Sequence, residues 1–330
     1  MLLPPGLMIE QLEKNIYSFQ VPLPDNPLKW LNTYVVAGTD GGRNLLIDTG
    51  FKRPECFESL MNGFQELGIA PENTDVFLTH VHSDHTGNAP ALQKLGCRLI
   101  MGRTDHQVLL RDTWDVRKQR VLREGMPQGM LDLVFRHNPA VIYAPGAFNA
   151  EEKEAGDTLS YGGYAFTLIE TPGHTPGHMC LYDAQNRIMF SGDHVLFDIT
   201  PNICAWVQMA DSLGAYLQSL ARISQYPVRL ALPGHRTVGE KTFEVRISEL
   251  LAHHTARLNE AGQIVHENPG INAYDLAGKM TWRIKARSWD DFPPGQKWFA
   301  LGEALAHLDH LVIGKQITRI QNKDGSIIYE

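Results

Sequence analysis

Three histidines and an aspartate fall within six consecutive residues, 80–85, which read His-Val-His-Ser-Asp-His. The segment follows Asp75–Leu78, a short apolar pattern that is typical of a buried strand. His80 and His82 are two residues apart, so both side chains can face one point, and Asp84 and His85 can face an adjacent point. Imidazole and carboxylate ligands suit zinc, iron or manganese. The pattern therefore predicts a metal site at the end of a strand.

Three further segments place a histidine or an aspartate where a strand pattern ends. Residues 171–174 read Thr-Pro-Gly-His, residues 191–194 read Ser-Gly-Asp-His, and residues 232–235 read Leu-Pro-Gly-His. Strand ends in a layered sheet point to a shared edge, where binding sites form. The glycines let the backbone turn sharply beside such a site. Together these segments raise the predicted number of metal ions from one to two.

Strand and helix patterns alternate along the first 240 residues, which predicts an α/β fold with helices packed outside the sheets. Apolar residues have helical spacing over Pro54–Leu67, and Asp211 is a candidate N-cap for a helix that ends near Gln225. Strands are predicted at residues 15–22, 30–38, 45–48, 75–78, 165–170, 179–183, 187–190 and 228–232.

Residues 103–148 change in character and predict a largely helical insertion, with a break at Gly125-Met126-Pro127. Two interpretations stay open for this insertion. It either covers part of the core or forms a lid over the site, since binding elements often lie in insertions.

The tail after residue 240 predicts three helices, at residues 245–265, 272–280 and 296–313, and then a hairpin around Asn322-Lys323-Asp324-Gly325. Three helices closed by a hairpin are typical of a winged helix. Residues 241–330 hold 11 basic and 11 acidic residues, and this neutral balance argues against duplex DNA binding. We therefore expect a packing or dimerisation role for the tail.

Bulk properties favour a globular protein in a reducing compartment. The chain has 330 residues and a net charge of −7, and its four cysteines are scattered without a CxxC pair. The first ten residues lack the features of a signal peptide, and no apolar run reaches the length of a membrane span. The expectation is a cytoplasmic protein without a membrane partner, and a homodimer is the default assembly.

The metal motifs, together with Asp48-Thr49-Gly50, resemble those of the metallo-β-lactamase superfamily in its glyoxalase II-like branch. The tail resembles the winged-helix extension of one branch, which includes single-strand endoribonucleases. This resemblance implies a four-layer αββα sandwich over residues 1–240, interrupted by the helical insertion at about 103–148. A small winged-helix-like domain would then occupy residues 241–330.

The resemblance also implies a set of roles for the motif residues. Two divalent metal ions are expected. Zinc is the leading candidate, and the same ligands also accept iron or manganese. A water shared by the two ions would ionise at neutral pH and attack the substrate, and Asp84 would orient it as a catalytic residue. Asp48 would orient a ligand by hydrogen bonding. The ligands implied are His80, His82 and His174 for one ion, Asp84, His85 and His235 for the other, and Asp193 as the bridge.

The remaining histidines are expected to support the site or to pack. His178 follows His174 by four residues, and we expect it to be structural or to support a ligand. His194 directly follows Asp193, and two roles are open for it: a general acid for the leaving group, or a packed residue behind the site. The histidines on the predicted tail helices are expected to pack; they are His253, His254, His307 and His310.

Hydrolysis of a thioester or related acyl ester is the leading functional hypothesis, with a small-molecule acyl or phosphorylated substrate. The alternative is a phosphodiesterase or single-strand endoribonuclease, with RNA as the partner. A basic cluster of Arg283, Lys285 and Arg287 would hold phosphate in that case, or would otherwise form a solvated loop. Residues 200–203 are expected to line the pocket. A third hypothesis, a regulator with a vestigial catalytic domain, conflicts with the complete ligand set.

Overall fold

A computed structural model describes residues 8–111, 114–237, 241–284 and 286–330, and its central feature is a pair of facing β-sheets. Seven strands form the first sheet, and their spatial order is their order in the chain. The first four are antiparallel neighbours, whereas the last four run parallel. The strands are β1 (Glu10–Glu13), β2 (Ile16–Pro22), β3 (Trp30–Val36), β4 (Asn44–Ile47), β5 (Thr74–Leu78), β6 (Arg98–Gly102) and β7 (Glu151–Lys153).

Five strands form the second sheet, in the spatial order β12, β11, β10, β9, β8. Their bounds are β8 (Thr158–Tyr161), β9 (Tyr164–Glu170), β10 (Met179–Asp183), β11 (Ile188–Gly192) and β12 (Leu230–Pro233). All neighbours are antiparallel except β11 and β12, which are parallel. The two central strands β10 and β11 are buried along their whole length, which explains their near-continuous apolar sequence.

Alternate residues of the central strands supply two different cores. In β5, Phe77 packs between the sheets, while Val76 and Leu78 pack under the outer helices of the first sheet. In β11, Phe190 packs between the sheets and Met189 under the outer helices of the second. Because successive side chains of a strand point to opposite faces, a strand buried on both faces needs apolar residues at every position.

Helices cover the outer faces of both sheets and confirm the four-layer α/β sandwich. On the first sheet these are α1 (Pro54–Leu67) and α3 (Ala89–Lys94), and on the second α8 (Ser212–Ile223) and α9 (Phe243–Glu267). The bounds of α1 are those predicted: Pro54 stands in its first turn and Gly68 caps its end with φ 63°. Asp211 caps α8 as expected, by accepting from the backbone N–H of Gly214.

The insertion is helical, as predicted, and it shares an apolar core with the tail. Its helices are α4 (Arg103–Leu110), α5 (Trp114–Arg123), α6 (Gln128–His137) and α7 (Pro139–Ile142). The short helix α2 (Ser83–Thr86) lies outside the insertion, directly after β5 and the first two histidines. Val121 and Leu131 pack in one cluster with Leu301 and Leu305 of the tail. The buried Glu124 carboxylate also accepts a hydrogen bond of 3.0 Å from the Tyr329 hydroxyl. The division of the chain near residue 240 stays a prediction.

The tail contains the predicted helices and hairpin, namely α9, α10 (Ala273–Lys279), α11 (Pro294–Ile313), β13 (Arg319–Gln321) and β14 (Ile327–Tyr329). Asn272 caps α10, as its position predicts. The interpretation of this tail as a winged helix stays a prediction. No helix in the described segments is both long enough and apolar enough to cross a bilayer.

Candidate metal centre

All the predicted metal-binding motifs meet at one edge of the sandwich, because each follows the carboxyl end of a strand. Residues 80–85 follow β5 and run into α2, His174 lies between β9 and β10, and Asp193 comes directly after β11. His235 comes two residues after the end of β12, and Asp48 follows β4. The edge therefore collects side chains from both sheets around one point.

The first ligand group consists of His80, His82 and His174, whose candidate ligand atoms lie within 4.8 Å of one another. Nε2 of His80 lies 3.1 Å from Nδ1 of His82. Three imidazoles that converge in this way are a typical set for zinc and for other transition metals.

The second ligand group consists of Asp84, His85 and His235, again within 4.8 Å. The two Nε2 atoms of His85 and His235 lie 3.3 Å apart, and Asp84 Oδ2 lies 3.3 Å from His235 Nε2. Both histidines are fully buried, whereas the Asp84 side chain keeps 14% exposure. Asp84 is therefore the member of this group that a substrate can reach.

Asp193 lies between the two groups. Its Oδ2 atom is 3.7 Å from His174 Nε2 in the first group and 3.4 Å from His235 Nε2 in the second. Two atoms here, Asp193 Oδ1 and His174 Nε2, are buried without a hydrogen-bond partner among the described residues. Buried polar atoms are rarely left without a partner. Their orphaned state and the histidine–carboxylate donor set fit two divalent cations with Asp193 between them.

Backbone carbonyls orient two of the histidines. Nδ1 of His174 donates to the Asn202 carbonyl at 3.0 Å, and Nδ1 of His235 donates to the Trp30 carbonyl at 3.0 Å. In the neutral imidazole that a metal ion binds, a donor at Nδ1 leaves Nε2 as the lone-pair nitrogen, and in both residues Nε2 faces the centre. The carbonyls thus select the tautomer that a metal ligand needs.

Asp48 orients a third histidine, as the resemblance implied. Its Oδ2 atom lies 2.7 Å from His85 Nδ1 and 2.8 Å from Thr79 Oγ1, while Oδ1 accepts from the Thr79 backbone N–H at 2.9 Å. Asp48 has φ 62°, a left-handed conformation that is costly for most residues and is tolerated best by Gly, Asn and Asp. The turn after β4 therefore aims this carboxylate at the base of the His80–His85 segment.

Asp105, in the first turn of α4, was not predicted and ties two ligand loops together. Its Oδ2 atom accepts from the Val81 N–H at 2.9 Å and from the Thr175 hydroxyl at 2.6 Å, and Oδ1 accepts from the Gly177 N–H at 2.6 Å. Burial raises the pKa of Asp105 to about 6, against the lowering effect of these hydrogen bonds. An acidic residue in a first helical turn is common, so the sequence carries no signal that separates this one.

His178 lies behind the centre and holds the backbone of the bridging aspartate. Its Nε2 accepts from the Asp193 N–H at 3.1 Å, and its Nδ1 lies 2.8 Å from Thr171 Oγ1. The residue is fully buried and belongs to none of the candidate ligand groups in the described chain. This placement agrees with the supporting role expected for it.

His194, predicted as a second catalytic residue, is fully buried and packs away from the cavity. Its ring centroid lies 5.9 Å from that of His178 and 5.1 Å from that of Tyr216. Burial and the neighbouring His174 lower its pKa to about 3, so the imidazole holds no proton to donate as a cation at neutral pH. This position favours packing, which was the other role open for it.

Electrostatics separate the two ligand groups. Burial and nearby imidazoles lower the pKa of His82 to about 3, which keeps it a neutral ligand. For His235, the carboxylates of Asp193 and Asp84 outweigh burial and raise the pKa to about 10. Burial raises the pKa of Asp84, but His85 and His235 outweigh it and lower the value to about 2. The second group therefore binds positive charge, whether protons or a metal ion.

A cavity of about 640 Å³ opens onto this centre and is mostly apolar. Asp84, His82, His174 and Asp193 form its inner end. Residues 200–202 line it as expected, whereas Ile203 is buried in the core beneath. The insertion and α11 supply most of the apolar wall, including Val108, Leu109, Trp114, Val121, Trp298 and Phe299.

Trp206 was not predicted and contacts both the cavity and the first ligand group. Its ring stacks on that of His82, with 5.8 Å between centroids, and its Nε1 donates to the His174 carbonyl at 2.9 Å. Arg283 and Arg287 are exposed and do not line the cavity, and Lys285 lies outside the described residues. His254 and His307 are buried and pack together in the tail, as expected.

Comparisons with known proteins agree with this geometry. A family model described as the metallo-beta-lactamase superfamily matches residues 31–235, and one described as metallo-beta-lactamase-like, C-terminal domain, matches residues 291–330. Among solved structures, the chain is similar to a metallo-beta-lactamase family protein from Thermus thermophilus, with a TM-score of 0.80, 25% identity, and coverage of 97% of this chain and 99% of that one. A beta-lactamase domain protein from Burkholderia ambifaria gives a TM-score of 0.82 at 25% identity, over 99% and 95% of the two chains.

Two curated relatives carry the name atrochrysone carboxyl ACP thioesterase. The protein from Cryptosporiopsis sp. is 27% identical over 240 residues, which cover 72% of this chain and 58% of that protein. The protein from Emericella nidulans is 26% identical over 230 residues, which cover 70% and 58%. The matches thus span less than two thirds of the relatives' length. Because the first family model covers more than half of the chain and spans all seven candidate ligands, the protein belongs to the metallo-beta-lactamase superfamily.

Proposed function

We propose that the protein hydrolyses a thioester or a related acyl ester. Two divalent metal ions, for which zinc is the leading candidate, would be held by the two ligand groups and Asp193. The observation that carries this proposal is the apolar cavity of about 640 Å³ that ends at Asp84 and His82. Apolar walls favour the body of an acyl group, since burying hydrocarbon against them is favourable. The thioesterase names of the two curated relatives support the same reaction class.

The bound cations would supply Lewis-acid activation of water and of the acyl carbonyl. The residues of the chain do the rest. Asp84, partly exposed at the inner end of the cavity, accepts a hydrogen bond from the attacking water and orients its lone pair toward the carbonyl carbon. Trp206 and the apolar wall exclude bulk water from the acyl group.

Cleavage of single-stranded RNA has less support. A strand with one negative charge per nucleotide needs a basic groove that leads to the centre. Arg283 and Arg287, the described members of the basic cluster, do not line the cavity. Its wall is largely apolar, and of the three arginines in it, Arg120 is paired with Asp309. We therefore expect no cleavage of RNA, and the following experiment includes RNA as a substrate to test this.

The test compares the metal-loaded protein with its Asp84→Asn variant on medium-chain acyl thioesters of N-acetylcysteamine and on single-stranded RNA. We expect thioester turnover that falls by about 10²- to 10⁴-fold in the variant, the range over which one positioned acid–base group acts. Asp40→Asn, at an exposed position, is the matched control and should leave turnover unchanged. Cleavage of RNA without thioester turnover would overturn the proposal.

A further inference from the structure

Arg117, in α5, lies in the cavity wall beside two tryptophan rings. Its guanidinium carbon lies 4.0 Å from the ring centroid of Trp206 and 5.2 Å from that of Trp114. Guanidinium groups stack well on indole rings, and such contacts hold the planar group in one orientation. With indole rings packed against the guanidinium, the N–H groups at its edge are the part that a ligand can reach.

No carboxylate pairs with Arg117 among the described residues, whereas the neighbouring Arg120 has such a partner. Arg120, one turn along α5, binds Asp309 at 2.6 Å, and Arg123 is exposed to solvent. The Arg117 Nε is buried without a hydrogen-bond partner in the described chain. Burial lowers the pKa of Arg117 to about 10, so the side chain is still charged at neutral pH. A half-buried cation without a partner favours binding of an anion.

Trp206 connects this cation to the candidate metal centre. The ring on which Arg117 lies also stacks on His82, at 5.8 Å between centroids, and donates to the His174 carbonyl. The guanidinium is therefore one indole ring away from the first ligand group. A ligand whose reacting carbonyl lies at the centre can place a second group at Arg117 when the chain between the two is long enough to pass the Trp206 ring.

The surroundings of Arg117 define the rest of the ligand. Trp114 lies 6.3 Å, centroid to centroid, from Trp298, and both rings line the cavity together with Phe299 and Val121. An apolar wall in which the Arg117 guanidinium is held between indole rings without a carboxylate partner fits a ligand with a hydrocarbon body and an anionic group.

We propose that Arg117 binds an anionic group, a carboxylate or a phosphate, of the substrate whose apolar part fills the cavity. This inference rests on the proposed acyl hydrolysis and names the substrate class as anionic acyl thioesters. The anion has two sources, a carboxylate on the acyl group or the phosphate of a phosphopantetheine thiol. Arg117 acts as a specificity-determining residue in either case, since its guanidinium can donate two parallel N–H···O bonds to a carboxylate or to a phosphate.

The first test measures KM and kcat of the wild type and of Arg117→Gln on three thioesters. They are the octanoyl thioester of N-acetylcysteamine, the same thioester with a terminal carboxylate on the acyl chain, and octanoyl-4′-phosphopantetheine. We expect KM to rise at least tenfold for one anionic substrate, and to stay within about twofold for the neutral one, as is typical for loss of a charged hydrogen bond. The substrate that responds identifies the source of the anion.

Arg123→Gln, an exposed position on the same helix, is the matched control, and all its KM values should equal those of the wild type. Arg117→Lys keeps the charge without the planar fork, so part of the anion preference should survive. Equal KM changes on all three substrates in Arg117→Gln, or none at all, would overturn the proposal.

A second test does not depend on turnover. Binding of suberate, of octanoate and of 4′-phosphopantetheine is followed by tryptophan fluorescence in the metal-loaded protein, because Trp114 and Trp206 adjoin Arg117. We expect suberate or phosphopantetheine to bind at least tenfold more weakly to Arg117→Gln, with octanoate unchanged. Identical affinities in both proteins would contradict the anion site. If binding depends on Arg117 but no thioester is turned over, the proposed acyl hydrolysis is wrong, while the proposed anion site is supported.

Discussion

The Asp105 carboxylate accepts a hydrogen bond of 2.9 Å from the Val81 backbone N–H, between the two histidines of the His80–His82 pair. The same carboxylate holds Thr175 and Gly177 in the loop that follows His174. A residue of α4 thus fixes the relative position of ligands that come from opposite sheets. Residues that orient metal ligands in this way typically change metal affinity by 10- to 100-fold when they are replaced.

Replacement of Asp105 by alanine should therefore weaken binding at the first ligand group. We expect zinc affinity to fall by about 10- to 100-fold and the free energy of unfolding to fall by about 2–4 kcal/mol, because three buried hydrogen bonds lose their acceptor. Competition with a chromophoric chelator and urea unfolding measure the two effects. Asp132→Ala, on the exposed face of α6, is the control. A stability loss with unchanged affinity would show that Asp105 is structural only.

Asp48→Asn tests whether the second ligand group depends on the Asp48–His85 pair. Asparagine tolerates the left-handed backbone at φ 62°, so the change removes the carboxylate without strain. We expect the bound zinc, measured by elemental analysis after dialysis, to fall from two equivalents toward one. Asp48→Ala should lose the same equivalent and in addition destabilise the fold by roughly 1–2 kcal/mol from backbone strain. Retention of both ions in Asp48→Asn would contradict the role of this pair.

The positions of the seven candidate ligands were predictable because each lies in a short motif at the end of a recognisable strand, and their division between two ions followed from the family that these motifs resemble. The residue types and their spacing within each motif identify potential metal ligands. The topology then brings the strand ends to one edge of the sandwich, where these ligands meet. Asp105 and Trp206 were not predictable in the same way. Each acts through contacts with residues far along the chain, and neither stands in a motif that distinguishes it from other aspartates or tryptophans.

Elements of the fold that are defined by their own residues were predicted, whereas elements that are defined by contacts with distant segments were missed. Helix α1 was predicted to the residue because proline, apolar spacing and a terminal glycine all lie within it or at its end. The edge strand β7 (Glu-Glu-Lys) was missed, since only its pairing with β6 defines it. The core shared by Val121 and Leu305 was also missed, because the apolar pattern of a helix shows that one face is buried but not which element packs against it.

The buried pair His254 and His307 should make the fold sensitive to acid. Burial, together with His307, lowers the pKa of His254 to about 2, whereas an unfolded histidine titrates near 6.5. Below pH 6.5 the unfolded state therefore binds more protons, so stability is full above that pH and is lost as the pH falls toward 2.

Urea unfolding at pH 7.5 and pH 5.0 measures this effect. In His254→Gln, the loss of unfolding free energy between the two pH values should be smaller than in the wild type by about 2 kcal/mol. His137→Gln, an exposed histidine, should keep the wild-type loss. An unchanged pH dependence in His254→Gln would mean that this histidine does not couple folding to protonation.

Gly234 tests how closely the backbone must approach the candidate centre. A Cβ atom at this position would lie 2.5 Å from Asp193 Oδ1 and 3.0 Å from His85 Cε1, so alanine must displace one residue of the bridge or of the second group. We expect Gly234→Ala to lose zinc and most of its hydrolytic activity while it stays folded, as measured by elemental analysis and circular dichroism. Gly129→Ala, in the first turn of α6, is the control, because no described atom outside its chain neighbours and its own helix backbone lies within 4 Å of the new Cβ; it should keep full metal content without loss of stability. Full zinc content in Gly234→Ala would mean that Asp193 does not need this close backbone approach to take part in the centre.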